Sequence, residues 1–401
     1  MTSALEGIRI LDLTMLFPGP FGTRYLSDFG AEVIKIESKV RIDAVRFFPP
    51  LVEIPGTKRG ESYFYHSLNR NKKNLSLNLK TEEGIEIFKK LAKTSDVIVE
   101  QYRPGVMDNL GIGYETISKI NPRIIYCSIT GYGQGGPYRD YAGHDLNYIG
   151  VSGVASVTRD RDTRRPIVPG VQIGDMFGGG LHAVIGILTA LLARERTGHG
   201  QYIDIAMMDG TLSFLPMILG SYLIDNVKPE PGRLNLSGAL PEYHIYECKD
   251  GKFITIGALE PKFYNNLLKV LGIQDVSKSA TEFFGGADQE LLFKKFKEIF
   301  LTKDRDTWLE ELRKVDTCVA PMNEIWEVED DPQVKYREMI IKIPIGDGKI
   351  TKQIGFPIKM SDTPATVKFV APPMGQHTKE ILEELGYSEE EIQDLKQKKV
   401  I

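Results

Sequence analysis

The chain has 401 residues, of which 42% are hydrophobic and 26% charged, and its formal net charge is −4. This composition is typical of a globular protein of two or three domains and differs from the Lys- and Arg-rich composition of nucleic-acid-binding proteins. The three cysteines, Cys127, Cys248 and Cys318, lie far apart in the sequence, which excludes a disulfide framework and a thiolate zinc site. We therefore expect buried, reduced cysteines, no metal site, no nucleic-acid partner and a cytoplasmic location.

The first half of the chain alternates short β-branched runs with helical patterns. Strands are predicted at Ile8–Leu13, Glu32–Glu37, Asn74–Leu79, Asp96–Glu100, Arg123–Ile129 and Gln201–Met207. Helices are predicted at Gly22–Gly30, Thr81–Lys93, Asp175–Ala193 and Asp209–Ile224. This alternation predicts an α/β fold with a doubly wound, largely parallel sheet, whose ligands bind beyond the carboxyl ends of the strands.

The helix predicted at Asp175–Ala193 is apolar on almost every side, which predicts that it is buried. Its apolar run, Leu181–Ala193, contains His182 and is shorter than the ~20 residues that a bilayer requires. The N-terminal residues lack an apolar signal core. We therefore expect a protein without a membrane span.

The second half of the chain has a different organisation. Pro and Gly cluster within residues 226–238, which we interpret as a linker. A hairpin with an Asp-Gly turn is predicted at Glu242–Glu247 and Lys252–Ile256, followed by charged helices over 261–315. Residues 325–364 are interpreted as a return crossing. Two helices are predicted in the tail, the second with capping-box spacing between Ser388 and Glu391: Gln376–Leu385 and Ser388–Lys398.

Two polar loops have both a structural and a functional interpretation. The turn Leu11–Gly22 contains glycines but not the GxGxxG spacing of a dinucleotide site, which favours a tight turn. The segment Asn69–Lys73 carries Arg70, Lys72 and Lys73 just before a predicted strand. A solvated loop is the favoured interpretation of these cations, and a phosphate contact is the functional alternative.

His144, Asp145 and Asn147 lie together at a predicted helix start and precede an apolar run, Ile149–Ala155, that predicts a buried helix. An isolated histidine is most often a core residue with satisfied hydrogen bonds. At a helix start, however, free backbone N–H groups can hold a developing oxyanion.

Two carboxylates also have alternative roles. Asp175 heads the most apolar helix, where it caps the helix or serves as a general acid/base or nucleophile. Glu260 lies between a predicted strand and helix, where capping is again the ordinary interpretation.

The chain resembles the class III CoA transferase superfamily over essentially its whole length. The segments that carry the resemblance are Leu5–Leu13, Asp28–Glu37, Tyr102–Met107, Ile129–Pro137, Gly174–Gly180, Arg196–Gln201 and Gly375–Gly386. Within the superfamily the chain is most similar to the alpha-methylacyl-CoA racemase branch, through Gly143-His144-Asp145, the segment 257–264 and the segment 316–321. Transferases commonly carry another residue where His144 stands. By contrast, residues 40–62 form a longer insertion than compact racemases carry, in a style nearer the transferases.

The resemblance implies a fold and an assembly. It implies a large Rossmann-like domain formed by both chain ends, a small α+β domain and an interlocked homodimer. The implied domains are 1–225 and 331–401 for the large domain and 226–330 for the small domain with its linkers. The site would form between subunits, so that Glu260 would reach His144 of the other chain.

The resemblance also implies the chemistry. His144 and Asp175 would exchange the α-proton of a 2-methylacyl-CoA through an enolate, Glu260 would orient His144, and a backbone N–H near Asp145 would hold the enolate oxygen. In the transferase alternative, Asp175 would instead be a nucleophile that passes CoA between carboxylic acids. Because Asp175 serves both branches, only His144 discriminates between them.

Coenzyme A is expected as part of the acyl-CoA substrate, with no tightly bound cofactor. Racemases usually place an arginine where Ser38 stands and a cation where Asn109 stands, so the phosphate contacts of this chain must be partly redistributed. The expected CoA-binding residues are Lys39, Lys72, Lys73, Leu79, Lys80, Tyr102, Arg103, Gly143, Asn147 and Tyr148.

Overall fold

The computed structural model describes residues 3–53, 60–273 and 289–401 of the chain. Its strands are β1 Arg9–Leu13, β2 Glu32–Glu37, β3 Leu51–Val52, β4 Glu61–Ser62, β5 Lys72–Ser76, β6 Val97–Glu100, β7 Ile125–Thr130, β8 Tyr202–Ala206, β9 Tyr243–Glu247, β10 Phe253–Gly257, β11 Val319–Met322, β12 Ile340–Gly346 and β13 Lys349–Ile354.

A π-helix at Ile173–Leu181 runs directly into an α-helix at His182. The α-helices are α1 Pro18–Asp28, α2 Tyr63–Asn69, α3 Glu82–Lys93, α4 Val106–Asn109, α5 Tyr114–Ile120, α6 Asp145–Val151, α7 Val154–Val157, α8 His182–Thr197, α9 Met207–Leu212, α10 Pro216–Asp225, α11 Pro261–Leu271, α12 Gln289–Phe300, α13 Arg305–Leu312, α14 Pro332–Tyr336, α15 Thr378–Glu384 and α16 Glu389–Gln397.

The chain divides into two compact units. The first contains Met1–Ser152, Gly170–Phe214 and Tyr336–Ile401, and the second contains Gly153–Pro169 and Leu215–Lys335. Both chain ends therefore contribute to the first unit. The boundaries differ from the predicted ones, because residues 153–169 belong to the second unit. Arg161 ties this segment there through a hydrogen bond to the Gly238 carbonyl (2.8 Å) and an ion pair with Glu290 (2.6 Å).

The first unit is built around a parallel sheet, in the order β5-β2-β1-β6-β7-β8. The strands are rich in buried β-branched residues, as expected of a parallel sheet covered by helices on both faces. The strand order reverses direction between β1 and β6, which makes this point the topological switch where such sheets bind ligands. The predicted α/β class and parallel sheet are confirmed.

The C-terminal tail completes the core of the same unit. Ile381, Leu382, Ile392 and Leu395 pack into one buried cluster with residues of β1, β2 and α3. The capping box of α16 forms as predicted, because Ser388 accepts from the Glu391 N–H (3.2 Å) and Glu391 accepts from the Ser388 N–H (2.7 Å).

The second unit has its own core beneath an antiparallel sheet, β11-β10-β9. The predicted hairpin is present as β9 and β10, joined by a turn in which Gly251 adopts φ 74°. Helices α11, α12 and α13 cover this sheet with aromatic side chains: Tyr264, Phe293, Phe296, Phe300 and Trp308.

Two helix predictions are wrong in part. The single helix predicted at Asp209–Ile224 is two helices, α9 and α10, because Pro216 cannot donate a helical hydrogen bond and starts a new helix. The buried helix predicted at Ile149–Ala155 is interrupted at Gly153, which has φ 89°, and Val151 is exposed.

The apolar helix predicted at Asp175–Ala193 is buried on one side only. Ile187 and Leu191 face the core, whereas Ile185, Leu188 and Leu192 are exposed in this single chain. Within the described residues, the stretch Ile173–Thr197 is long and apolar enough by composition to cross a membrane, with 25 residues and a mean hydropathy of 1.8. A core helix of a globular protein has the same properties.

Candidate active site

A cavity of about 1040 Å³ opens at the switch point of the parallel sheet. Its floor is formed by the loops that follow β1, β6 and β7, as the sequence predicted for a doubly wound sheet. The predicted site residues that line it are Tyr102, Arg103, Gly143, His144, Asp145, Asn147, Tyr148 and Asp175. The fold therefore brings His144 and Asp175, 31 positions apart in the sequence, to one cavity.

Asp175 lies in the π-helix, whose wider turn was not predicted from the sequence. π-helical turns occur frequently at functional sites. The glycines that follow Asp175 let this turn pack against neighbouring backbone. A β-carbon at Gly180 would lie 2.7 Å from the Pro18 carbonyl oxygen, and one at Gly22 would lie 2.7 Å from the Gly180 carbonyl oxygen. The π-helix is therefore in direct backbone contact with α1.

The carboxyl group of Asp175 has an unusual electrostatic environment. Burial, and secondarily the nearby negative charge of Asp145, raise its pKa to about 7. The backbone N–H of Asp175 donates a hydrogen bond to the Asp145 carboxylate (2.9 Å), which fixes the two residues close together. Asp175 can therefore both accept and release a proton near neutral pH.

His144 occupies the N-cap position of α6, where its side chain is exposed and lines the cavity. Its backbone N–H donates to the side-chain carbonyl of Asn147 (3.0 Å). The Tyr148 hydroxyl donates to the Gly143 carbonyl oxygen. Gly143 is required here, since a β-carbon would lie 2.6 Å from the Tyr148 ring. Asn147 and Tyr148 thus bind both polar groups of the peptide bond that joins Gly143 to His144.

The cavity wall has two contrasting sides. One side is aromatic and apolar and includes Phe17, Phe48 and Phe64, with the rings of Phe17 and Phe64 6.4 Å apart. The other side comes from the loop after β7, where Tyr132 packs against Tyr148 with ring centroids 5.2 Å apart and Arg139 lines the cavity. The guanidinium of Arg139 is held by the Gln134 carbonyl (2.9 Å) and Asp140 (2.8 Å).

A second cavity of about 330 Å³ shares Tyr102 with the first. Leu79 and Lys80, both predicted to bind CoA, line this second cavity. Arg41 also lines it, with its guanidinium 5.0 Å from the centre of the Tyr102 ring. The two cavities therefore adjoin at Tyr102.

The interpretation of Asn69–Lys73 as a solvated loop is wrong, and so is the proposed phosphate contact of Lys72. Arg70 and Lys72 are fully buried. Arg70 pairs with Asp28 (2.8 Å), and the ammonium group of Lys72 is within 3.1 Å of four acceptor oxygens in the interior. Four acceptors satisfy the three N–H groups of a lysine, so Lys72 has no hydrogen bond left for a ligand.

The other two predicted lysines differ in their surroundings. Lys73 makes ion pairs with Glu380 (2.7 Å), Glu32 (3.0 Å) and Glu384 (3.7 Å). Lys39 lines a cavity of about 280 Å³ formed with the chain terminus and donates to the Ile401 carbonyl (3.4 Å). Neither lysine lines the cavity that contains His144 and Asp175 or the second cavity. Their predicted contact with CoA stays a prediction.

Glu260 lies in the second unit, at the N-cap position of α11. Its side chain is exposed and makes no capping hydrogen bond. The capping interpretation of Glu260 is therefore wrong, and its predicted contact with His144 stays a prediction.

Several residues of the site carried no signal in the sequence. Leu16 adopts φ 59°, an uncommon conformation for a bulky side chain, and lines the same cavity as His144 and Asp175. Arg41 lies in an irregular loop, where no periodic pattern marks it. Aromatic residues in such loops, including Phe48, look like ordinary core residues until their exposure is known.

Comparisons with known proteins are consistent with this geometry. A family model described as CoA-transferase family III matches residues 5–378. The chain is similar to the alpha-methylacyl-CoA racemase of Homo sapiens, with 35% identity over 399 residues, 99% of this chain and 97% of that protein. It is similar to the succinyl-CoA:glutarate CoA-transferase of Homo sapiens, with 36% identity over 398 residues, 98% of this chain and 88% of that protein.

A solved structure agrees with these sequence relatives. The crystal structure of a CAIB/BAIF family protein from Brucella suis matches with a TM-score of 0.82 and 32% identity, covering 96% of this chain and 100% of that chain. The resemblance stated from the sequence is confirmed at the level of the family, and racemases and transferases are equally similar to the chain.

The environment of Asp175 leads to a prediction that is independent of the reaction. We expect the Asp175 carboxyl group to titrate near pH 7, and we expect Asp145→Asn to move the midpoint to lower pH. The substitution removes the like charge but keeps an oxygen that accepts the Asp175 N–H. Carboxyl ¹³C NMR of the labelled protein measures both midpoints. Asp362→Asn, a matched change on an exposed aspartate outside the cavity, should leave the midpoint in place. A wild-type midpoint near the ordinary value of 3.8 would contradict the prediction.

Proposed function

Since the chain belongs to CoA-transferase family III, we propose that it is an acyl-CoA racemase that interconverts the two configurations of a 2-methylacyl-CoA. The observation that carries the proposal is the placement of His144 and Asp175 on one cavity, with the pKa of Asp175 held near 7. A pKa near the working pH lets one group serve as base in one direction and as acid in the other. Similarity to the human racemase supports the same activity.

In the proposed reaction the α-carbon of the thioester lies between His144 and Asp175. The Asp175 carboxylate removes the α-proton, and the electron pair of the C–H bond moves into the thioester carbonyl to form an enolate. Protonated His144 then returns a proton to the opposite face of the α-carbon. The reverse direction starts from neutral His144 and protonated Asp175, so that both directions require the same total number of protons.

The developing enolate oxygen needs a hydrogen-bond donor. The Asp145 N–H at the start of α6 has no acceptor in the described part of the chain and lies beside the cavity. The N–H of His144, in contrast, is already bonded to Asn147. A single donor of this kind is typically worth ~3–4 kcal/mol in the transition state.

The apolar side of the cavity supports a hydrophobic acyl group. Phe17, Phe48 and Phe64 offer aromatic surface, and Met176 and Met207 add flexible apolar side chains. The charged residues that line the cavity are Arg103, Arg139, His144, Asp145 and Asp175. They belong to the loops after β6 and β7, to α6 and to the π-helix. This combination of apolar surface and polar groups suits an acyl-CoA, which joins an apolar acyl group to a polar thioester and pantetheine.

We propose that the second cavity holds the phosphate end of CoA. Arg41 and Lys80 line it, and the Arg41 guanidinium lies over the Tyr102 ring, near the position where racemases usually carry an arginine and this chain has Ser38. Guanidinium groups bind phosphate oxygens through paired hydrogen bonds. Arg41 thus replaces Lys72, which is buried, among the cations expected to contact CoA.

We further propose that the enzyme is a homodimer. No residue of α10 is buried, and its side chains Met217, Leu223 and Ile224 are 73%, 68% and 83% exposed. Exposed apolar helices of this kind are rare on monomers and mark interfaces. A second copy of the chain would cover them, and its Glu260 would orient His144. Interlocking of the two chains is the arrangement that the family resemblance implies.

A transferase is the second candidate, supported by the similarity to succinyl-CoA:glutarate CoA-transferase. In that reaction an Asp175 oxygen attacks the thioester carbonyl, the C–S bond breaks and CoA leaves as a thiolate, which produces a mixed anhydride. The thiolate then attacks the Asp175 carbonyl and releases the donor carboxylate. Attack by an acceptor carboxylate on the resulting aspartyl-CoA thioester repeats the two steps in reverse and yields the new acyl-CoA.

Isotope exchange distinguishes the two candidates. We expect incubation with a 2-methylacyl-CoA in heavy water to introduce deuterium at the α-carbon, measured by mass spectrometry. His144→Ala should slow this exchange by about 10²–10⁴-fold, the usual contribution of a positioned acid/base. His199→Ala, a matched change at an exposed histidine outside the cavity, should leave the rate unchanged.

The opposite result would favour the transferase. If no exchange occurs with any branched acyl-CoA, and hydroxylamine traps an acyl group on Asp175 during turnover with a carboxylate acceptor, the racemase proposal is wrong. Binding of the thioester without exchange or transfer would indicate a protein that has lost its chemistry.

The CoA assignment predicts a selective effect at Arg41. We expect Arg41→Met to raise the KM for acyl-CoA about tenfold or more with little change in kcat, because a charge-assisted hydrogen bond contributes about 1.5–3 kcal/mol. Lys119→Met, a matched change at an exposed lysine of α5 that lines neither cavity, should leave KM unchanged. Steady-state kinetics at low ionic strength measures both. A higher KM in Lys119→Met and an unchanged one in Arg41→Met would contradict the assignment.

The molecular mass of the protein in solution tests the proposal that it is a homodimer. We expect sedimentation to give twice the 45.0 kDa of one chain, and Ile224→Asp to lower the mass or weaken the association. Leu301→Asp, which places the same charge at another exposed apolar position, should leave the mass unchanged. A monomeric wild-type protein would contradict the proposal.

A further inference from the structure

A buried polar cluster lies beneath the catalytic cavity and takes no part in the proposed proton transfer. The ammonium group of Lys72 is near oxygens of Asp12 (3.0 Å), Thr23 (2.8 Å), Asn69 (2.9 Å) and the Pro20 carbonyl (3.1 Å). The Thr23 hydroxyl in turn donates to the Asp12 carboxylate (2.6 Å). These side chains are at most 1% exposed, so water does not share their hydrogen bonds.

A second buried lysine extends the cluster along the loop after β1. Lys35 donates to the Thr14 carbonyl (2.7 Å) and lies 3.3 Å from the Asp43 carboxylate. Asp43 accepts from the Leu16 N–H (3.2 Å), and Asp12 accepts from the Thr14 N–H (2.9 Å). Polar groups of the interior therefore fix the backbone of the segment 14–20 at several points.

This segment forms a wall of the catalytic cavity. Leu16, Phe17 and Pro18 line the cavity, and Leu16 holds the uncommon φ of 59°. Such a conformation is strained for a side chain with a β-carbon and persists only where the surroundings enforce it. The hydrogen bond from Leu16 to Asp43 and the contacts of the two buried lysines supply this enforcement.

The same segment is in contact with the residues that carry Asp175. Thr23 lies on α1, one residue after Gly22, whose backbone approaches Gly180 of the π-helix too closely for a side chain. Gly180 also packs against the Pro18 carbonyl. Since no side chain separates these backbones, a shift of α1 is transmitted directly to the π-helix.

We propose that Thr23 and Lys72 are positioning residues, which hold the start of α1 and, through its backbone contact with the π-helix, the orientation of Asp175. They contact neither substrate nor reacting atoms. The proposal rests on the proposed function only where turnover is the readout, since the titration of Asp175 reports on its position without any reaction.

The test compares two substitutions at one position. Thr23→Val removes the hydroxyl and keeps the shape of the side chain, whereas Thr23→Ser keeps the hydroxyl. In purified full-length protein we expect Thr23→Val to lower kcat for α-proton exchange about tenfold, with KM within threefold, and to move the midpoint of the Asp175 titration. Thr23→Ser should restore both to within about threefold of the wild type.

A matched control separates positioning from stability. Thr94→Val removes a hydroxyl that donates to the Leu91 carbonyl (3.2 Å) at the end of α3, away from the cavity. We expect it to lower Tm without changing kcat or the Asp175 midpoint. If Thr23→Val lowers Tm like this control and leaves kcat and the midpoint unchanged, the cluster has a structural role only and the proposal is overturned.

Two further results distinguish a failure of the positioning role of Thr23 and Lys72 from a failure of the proposed racemase function. If the wild-type protein shows no exchange, the racemase proposal fails, while the NMR midpoints of the Thr23 variants still decide the positioning role. If Thr23→Val does not fold, Asn69→Leu applies the same test, since it removes one acceptor of Lys72 and leaves Asp12 and Thr23 in place. An unchanged midpoint and kcat in that variant would also overturn the proposal.

Discussion

The charge of Asp12, buried at the end of β1, is the constraint on which the switch point of the sheet depends. Burial alone would raise the pKa of Asp12, but the charges of Lys72 and Lys35 and the hydrogen bonds from Thr14 and Thr23 outweigh it and lower the pKa to about 2. Burial lowers the pKa of Lys72 to about 8, although the charge of Asp12 opposes this change. Removing one partner of such a buried pair commonly costs about 3–5 kcal/mol, because the other charge is left unpaired. The loop after β1 and the first turn of α1 are consequently held in one conformation.

Backbone packing carries this constraint to the catalytic cavity. The chain needs glycine at Gly22 and Gly180 because the two backbones touch, and this contact places the π-helix against α1. The π-helix in turn brings the Asp175 N–H to the Asp145 carboxylate. Burial, and secondarily the negative charge of Asp145, keeps the pKa of Asp175 near 7 rather than near its ordinary value. The proposed acid/base chemistry thus depends on the same contacts that stabilise the fold.

Local patterns predicted most of the first unit. Glu32–Glu37 is a strand with the predicted bounds, and the loops after the strands line the cavity as expected of a doubly wound sheet. The motifs shared with the family predicted His144, Asp145 and Asp175 as site residues, and all three line the same cavity. The cations of the segment 69–73 were interpreted wrongly, because a sequence shows that a residue is charged but not whether a partner lies within reach. Arg41 was not among the predicted CoA-binding residues. Its proposed role depends on its contact with Tyr102, a residue distant in the sequence.

The sequence by itself determined the family, the α/β class with its parallel sheet and the side chains that are proposed to react, because these follow from short-range periodicity and from local motifs. Only the tertiary structure decided which charges are buried, which cations face a cavity and how acidic Asp175 is. Those properties arise from pairs far apart in the chain, such as Lys72 with Asp12 at a separation of 60 residues and Asp175 with Asp145 at a separation of 30. Hydrogen bonding and desolvation act over a few ångströms of space, so their outcome depends on the folded arrangement of the chain.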